Sequence, residues 1–149
     1  MAWRDAFTNL STIAVSGVAT SYDLDGLPNA LPAEALPALA PAFPQHRERR
    51  EGMEGLAVLT FDGARWTATM HVEHVLYWLP AWSEAGLAAV LPALVEAIDD
   101  YLAAVSADGT LDSALDEELV ILEVAPGVVT YAGTRYYGVR FLHRWRRYL

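Results

Sequence analysis

The first residues to test for chemistry are His71-Val-Glu-His74. Zinc proteases carry His at i and i+4 on a helix, with a Glu beside the first His. Here the histidines stand at i and i+3, and the residues around them alternate with the period of a strand. On a strand, positions separated by an odd number point to opposite faces. His71 and Glu73 then share one side and His74 the other, so the two imidazoles cannot hold one metal ion. A structural or solvent-facing pair is the expectation. Asp23-Leu-Asp25-Gly26 matches the start of a calcium loop but lacks the later oxygen ligands. No Ser sits in a Gly-x-Ser-x-Gly elbow, and Ser16 and Ser106 lack any such context. Gly127, Gly133 and Gly138 fall at turns or within strands, not in a phosphate loop. Glu123, inside an apolar strand, is placed to pair with Arg140 or Arg144 across a sheet. The reading is therefore of a chain that is not an enzyme, with no catalytic residue, no cofactor and no metal.

What remains is charge and surface. The chain has a formal net charge of −9, yet the charges are segregated. From Glu84 to Glu123 every charged residue is acidic, and from Arg135 onward every charged residue is Arg. All 10 basic residues are Arg, which reads as a GC-rich coding preference or as a set suited to carboxylate pairing. The tail Arg144-Trp145-Arg146-Arg147-Tyr148 mixes guanidinium and aromatic groups, as single-stranded nucleic-acid surfaces do. Protein-interface anchors draw on the same residue types. Acidity elsewhere disfavours tight phosphate binding, so the protein interface is the stronger reading. A plainer one has Trp145 capping the core and the arginines in solvent. The expected interface comprises Arg135, Arg140, Arg144, Trp145, Arg146, Arg147 and Tyr148, facing Asp99, Asp100, Glu117 and Glu118 of a neighbour. Such a pairing is head-to-tail, and it makes rings where the rotation closes. The loop carrying Arg47, Arg49 and Arg50 reads as a solvated, mobile segment or one that orders against a partner.

These groups need elements to position them. At 149 residues and 54% apolar composition, the chain suits a single domain with a real core. It has no Cys, which excludes disulfides and thiolate metal sites. No apolar run reaches a membrane span, and the N-terminus lacks the pattern of a signal peptide. Trp3, Phe7, Leu10 and Ile13 predict an amphipathic helix over 2–13. Residues 18–22 read as a short strand. Residues 23–44 form a connection with five prolines that block helix and sheet, yet whose leucines pack down as a cover. Residues 56–61 and 65–79 predict a hairpin around Asp62-Gly63, with a return strand long enough that part of it projects or is covered by a neighbouring subunit. A helix follows over 83–105, with Ser83 as N-cap and Pro92 as a kink or restart. Residues 110–118 suggest one helical turn. Strands 119–132 and 136–145 then form a hairpin through Gly133, with Tyr137, Val139, Phe141 and Trp145 on its packed side and Arg140, Arg144 and Arg146 on the other. The fold class is α+β: one domain, mostly antiparallel sheet, helices on one face, and the last hairpin as the closing edge.

The run Val128-Val-Thr-Tyr-Ala-Gly-Thr-Arg-Tyr-Tyr-Gly-Val-Arg-Phe141 resembles the last hairpin of the small tail-terminator and neck proteins of long-tailed bacteriophages. The short first helix, the central helix, the loop-rich region over 23–55 and the total length are similar too. The resemblance implies a virion structural protein of the tail or neck, assembled in the host cytoplasm. It implies a ring, hexameric in that family, that caps the tail tube, stops its polymerisation and joins tail to head. Partners would be further copies of itself, the tail-tube protein and the head connector, with DNA only passing through the lumen and no membrane involved. The resemblance carries no catalytic residue. The competing reading is a small-ligand or peptide-binding module of a cellular protein, with Trp66, Met70 and Trp78 as the wall of its pocket.

Overall fold

The computed structural model describes residues 2–43, 58–62, 65–82 and 86–148, with backbone alone for 58–62, 65 and 66. The expectations for the Arg47–Arg50 loop, the Asp62-Gly63 turn, the Ser83 cap and the Trp66 side chain lie outside these residues. The elements run α1 (Trp3–Thr12), β1 (Thr20–Ser21), β2 (Ala38–Ala42), β3 (Val58–Asp62), β4 (Arg65–Pro80), α2 (Gly86–Ser106), β5 (Val120–Tyr131) and β6 (Thr134–Tyr148). Two 3-10 turns, Leu24–Gly26 and Ala33–Ala35, punctuate the stretch between β1 and β2.

The strands form one six-stranded sheet ordered β1-β2-β4-β6-β5, with β3 also on β4. All pairs are antiparallel except β1 with β2. The fold is a single-domain α+β arrangement of two helices on a mostly antiparallel sheet, as the periodicities predict. The last hairpin closes the sheet as expected, with β5 as the edge and β6 between β4 and β5. Two details differ. β4 does not project, because β6 pairs it from Thr67 to Pro80 on one side while β2 and β3 share the other. Residues 38–42 join the sheet despite Pro41, which pairs with His74. β1 reaches only as far as Leu39, so the missing N–H of Pro41 falls where β2 is the outer strand.

The two faces of the sheet bury different sets. On one face α2 lays Val90, Leu94, Ala97, Tyr101 and Val105 over Leu76, Val139 and Phe141. On the same face α1 places Phe7 and Leu10 against Val72 and Trp145, closed by Leu111, Ala114 and Leu115 from the loop after α2. Phe7 meets Trp145 edge-on at 4.8 Å. The opposite face is covered at one end by the 3-10 stretch, where Leu31 and Leu36 rest on Val75, Tyr77, Val129 and Tyr136. The leucines of the Pro-rich connection thus act as the expected cover. α2 runs unbroken through Pro92, which faces solvent, so the helix does not restart there.

Two backbone features fix the local geometry. Ala132 and Gly133, at φ 48° and 83°, make the two-residue turn of the β5–β6 hairpin. Positive φ at both positions is the type I′ arrangement that matches strand twist. Leu111, Asp112 and Ser113 form a left-handed turn at φ 51°, 54° and 64°, in place of the right-handed helical turn the sequence suggests. Such residues cost roughly 1–2 kcal/mol each. The turn is held by the Asp112 N–H donating to the Asp108 carboxylate at 2.9 Å and the Asn9 amide donating to the Leu111 carbonyl at 2.8 Å. It also puts Leu111 fully inside the core.

Candidate assembly surfaces and a buried histidine relay

The arginines of β6 alternate as expected. Arg140, Arg144 and Arg146 project from the face opposite the helices, all half-buried. In register, Arg140 sits between Val75 and Ala125, Arg144 between His71 and Val120, and Leu142 between Glu73 and Glu123. Two carboxylates therefore flank the arginine column, and the expected Glu123 pairing with Arg140 or Arg144 is sterically available. Arg146 approaches Glu117 at 3.9 Å, a weak half-exposed contact, while its Nε lies buried without a hydrogen-bond partner among the described residues. Arg147 turns to the helix face and lies over the Trp3 ring at 5.2 Å. Arg135 is exposed at the hairpin end, where its carbonyl accepts from the Ala81 N–H. Tyr148 donates its N–H to Asp116.

Trp145 departs from the proposed interface set. It is fully buried against Phe7 and has no surface for a neighbour to touch. The plainer reading of that residue, as a core cap, is what the packing supports. The acidic set also divides. Glu96, Asp99 and Asp100 form the solvent side of α2. Glu117 is drawn to Arg146, and Glu118 packs beside Gly109. Asp23 and Asp25, the start of the calcium-like loop, both pair with Arg4, and Asp23 also accepts from Thr8. They tie α1 to the following loop. A cavity of about 270 Å³ between the end of α2 and the start of β5 is lined by Leu102, Val105, Leu119 and Ile121 with Ser106 and Glu118. Met70 and Trp78, the expected pocket wall, pack instead against the two core clusters.

The sequence reading overlooked one constellation. His143 is fully buried between Phe141 and Trp145 on the packed face of β6, His74 is buried beside it on β4, and Tyr101 of α2 bridges them. The Tyr101 hydroxyl lies 2.8 Å from His74 Nδ1 and 2.7 Å from His143 Nε2. Trp145 Nε1 lies 3.2 Å from His143 Nδ1. An indole N–H only donates, which fixes the whole chain. His143 Nδ1 accepts from Trp145, so its proton is on Nε2 and is donated to Tyr101. The Tyr101 hydroxyl is then free to donate to His74 Nδ1. The proton of His74 is left on Nε2, which is buried without a partner among the described residues. Burial, and after it the neighbouring His143, holds the His74 pKa well below the usual histidine value. Burial alone pushes His143 down to about 3 and holds the Tyr101 phenol well above its ordinary value. Both imidazoles are neutral. Tyr101 also stacks on Phe141 at 3.7 Å, so the relay is embedded in the helix–sheet seam. The expected placement of His71 and His74 on opposite faces is met, and both are buried.

No protein-family model matches the chain, and no curated protein matches it.

Proposed function

We propose that the chain is a structural subunit of a long-tailed bacteriophage neck: a ring-forming tail terminator that caps the tail tube, ends its polymerisation and joins it to the head. The observation that carries the reading is the placement of opposite charges on opposite faces of one sheet. Glu96, Asp99 and Asp100 line the outside of α2, and Arg140, Arg144 and Arg146 project from the far side of β6. A subunit with an acidic outer helix on one side and an arginine column, flanked by Glu73 and Glu123, on the other associates with copies of itself through a heterologous contact. Such contacts close into rings or run on as filaments. The resemblance of 128–141 to the family's last hairpin supports the ring, and that run forms the β5–β6 hairpin. In this reading six subunits surround a lumen through which DNA passes. The acidic α2 of each faces the arginine column of the next, and the ring ends meet the tail-tube and head-connector proteins.

The test is assembly. Purified protein alone and with tail tubes is imaged by negative stain and followed by sedimentation velocity. Rings, free or seated on tube ends, are the expected result. A monomer at every concentration, with bare tube ends, would overturn the reading.

A further inference from the structure

We propose that the Trp145–His143–Tyr101–His74 relay is an acid-released latch that holds α2 on the sheet. The relay is the one polar tie between α2 and the sheet in an otherwise apolar seam among the described residues. Its members come from three elements: Tyr101 from α2, His74 from β4, His143 and Trp145 from β6. Every acceptor position in it is occupied by a donor.

An added proton has no good place to go. On His143 Nδ1 it would face the Trp145 N–H, donor against donor. On His74 Nδ1 it would turn that nitrogen into a donor toward Tyr101, whose oxygen already accepts from His143, and the phenol hydrogen would lose its acceptor. Either way a cation is buried, which is costly unless a counter-charge stands near. None does among the described residues. From α2 only the neutral Tyr101 phenol faces the imidazoles. From β4 and β6 the flanking Glu73 and Arg144 lie on the opposite face. Ile121 of β5 lies across from His143, and Pro41 of β2 across from His74. Arg4 of α1 is engaged with Asp23 and Asp25, and Asp5 with the Ala2 N–H.

Protonation is therefore coupled to opening, in which α2 lifts and water reaches the rings. The stem of the molecule need not open with it. β6 is hydrogen-bonded on both sides, and α1 keeps its own contact with Val72 and Trp145. The sign follows from linkage. The closed state keeps both histidines neutral, and the open state lets them titrate near 6.5. Closure is complete above that value and weakens as pH falls below it. Each histidine that gains a proton on opening raises the open-to-closed ratio about tenfold per pH unit, and two raise it about a hundredfold.

Hydrogen exchange across pH 7.5 to 4.5, corrected for intrinsic rates, tests the latch. The protection of amides 90–106 is expected to fall by up to about a hundredfold per unit below pH 6, while amides of the β4–β6 pair lose far less. The His71→Gln variant, which removes the buried imidazole of the other face, keeps that slope. Loss of the slope in His71→Gln would overturn the proposal, as would equal loss of protection in α2 and the sheet. An independent check needs no variant: nitrogen shifts of the imidazoles at pH 7.5 report the tautomer. Both rings are expected as Nε2–H. An Nδ1–H tautomer on His143, or a folded-state titration of His74 or His143 near 6.5, would overturn it.

Discussion

His143 was legible in the sequence as a position but not as a role. The period-2 set Tyr137, Val139, Phe141 and Trp145 skips it, although the same alternation puts it on the packed face. A polar residue in an apolar stripe gains meaning only when its partner is known, and Tyr101 is 42 residues away on another element. Removing that partner gives the sharpest single-residue test. Tyr101→Phe strips the hydroxyl and leaves a buried imidazole donor and acceptor unpaired, so it is expected to cost about 2–4 kcal/mol in urea unfolding. The native protein should also lose stability as pH drops from 6.5 toward about 3, the value to which burial pushes His143, because the unfolded chain takes up protons that the folded one refuses. A flat profile across that window would contradict the neutral relay. Gly138 is a second residue whose requirement is steric. A Cβ there would lie 1.9 Å from the Leu76 carbonyl oxygen. Gly138→Ala is expected to lower stability by about 3 kcal/mol or more, read by thermal or urea unfolding.

At the scale of elements, those with strong local periodicity were readable. α1, β4 and α2 fall within a few residues of where the apolar spacing puts them. β2 was not, because Pro41 argues against a strand and only the outer position of β2 makes it tolerable. The turn after α2 was misread for a related reason: polar residues that suit a helical turn are held left-handed by Asp108 and Asn9. Neither hydrogen bond is visible from local composition. The hairpin turn was read correctly at Gly133, but its companion is Ala132, which sits at φ 48° without the glycine or asparagine that position favours. Ala132→Asn should therefore raise stability by up to about 1 kcal/mol, seen as a higher melting temperature. Pro92 interrupts the hydrogen-bond ladder of α2 on its wet side. Pro92→Ala should restore a bond to the Ala88 carbonyl and stabilise the helix by about 1–3 kcal/mol, with α2 amides gaining protection.

At the scale of the whole molecule, the segregation of charge was visible along the chain, but its geometry was not. Sheet order depends on pairings between distant segments, and it is that order which sets β6 in the interior. Its arginines then project from one face while α2 covers the other. The same placement refines the proposed contact. Trp145 leaves it because it is core, and Glu117 is engaged locally with Arg146. Asp99 and Asp100 on the outside of α2, and the arginine column with Glu73 and Glu123 beside it, are the opposed surfaces. The most direct measurement is a charge swap followed by sedimentation velocity and negative stain. Arg144→Glu alone and Asp99→Arg with Asp100→Arg alone should each abolish self-association while keeping the native circular dichroism. Carried together in one chain, the reversed charges should restore it, because each reversed position then meets its opposite on the neighbour. Rings that survive Arg144→Glu, or a combined variant that stays monomeric while the native chain assembles, would contradict the head-to-tail contact.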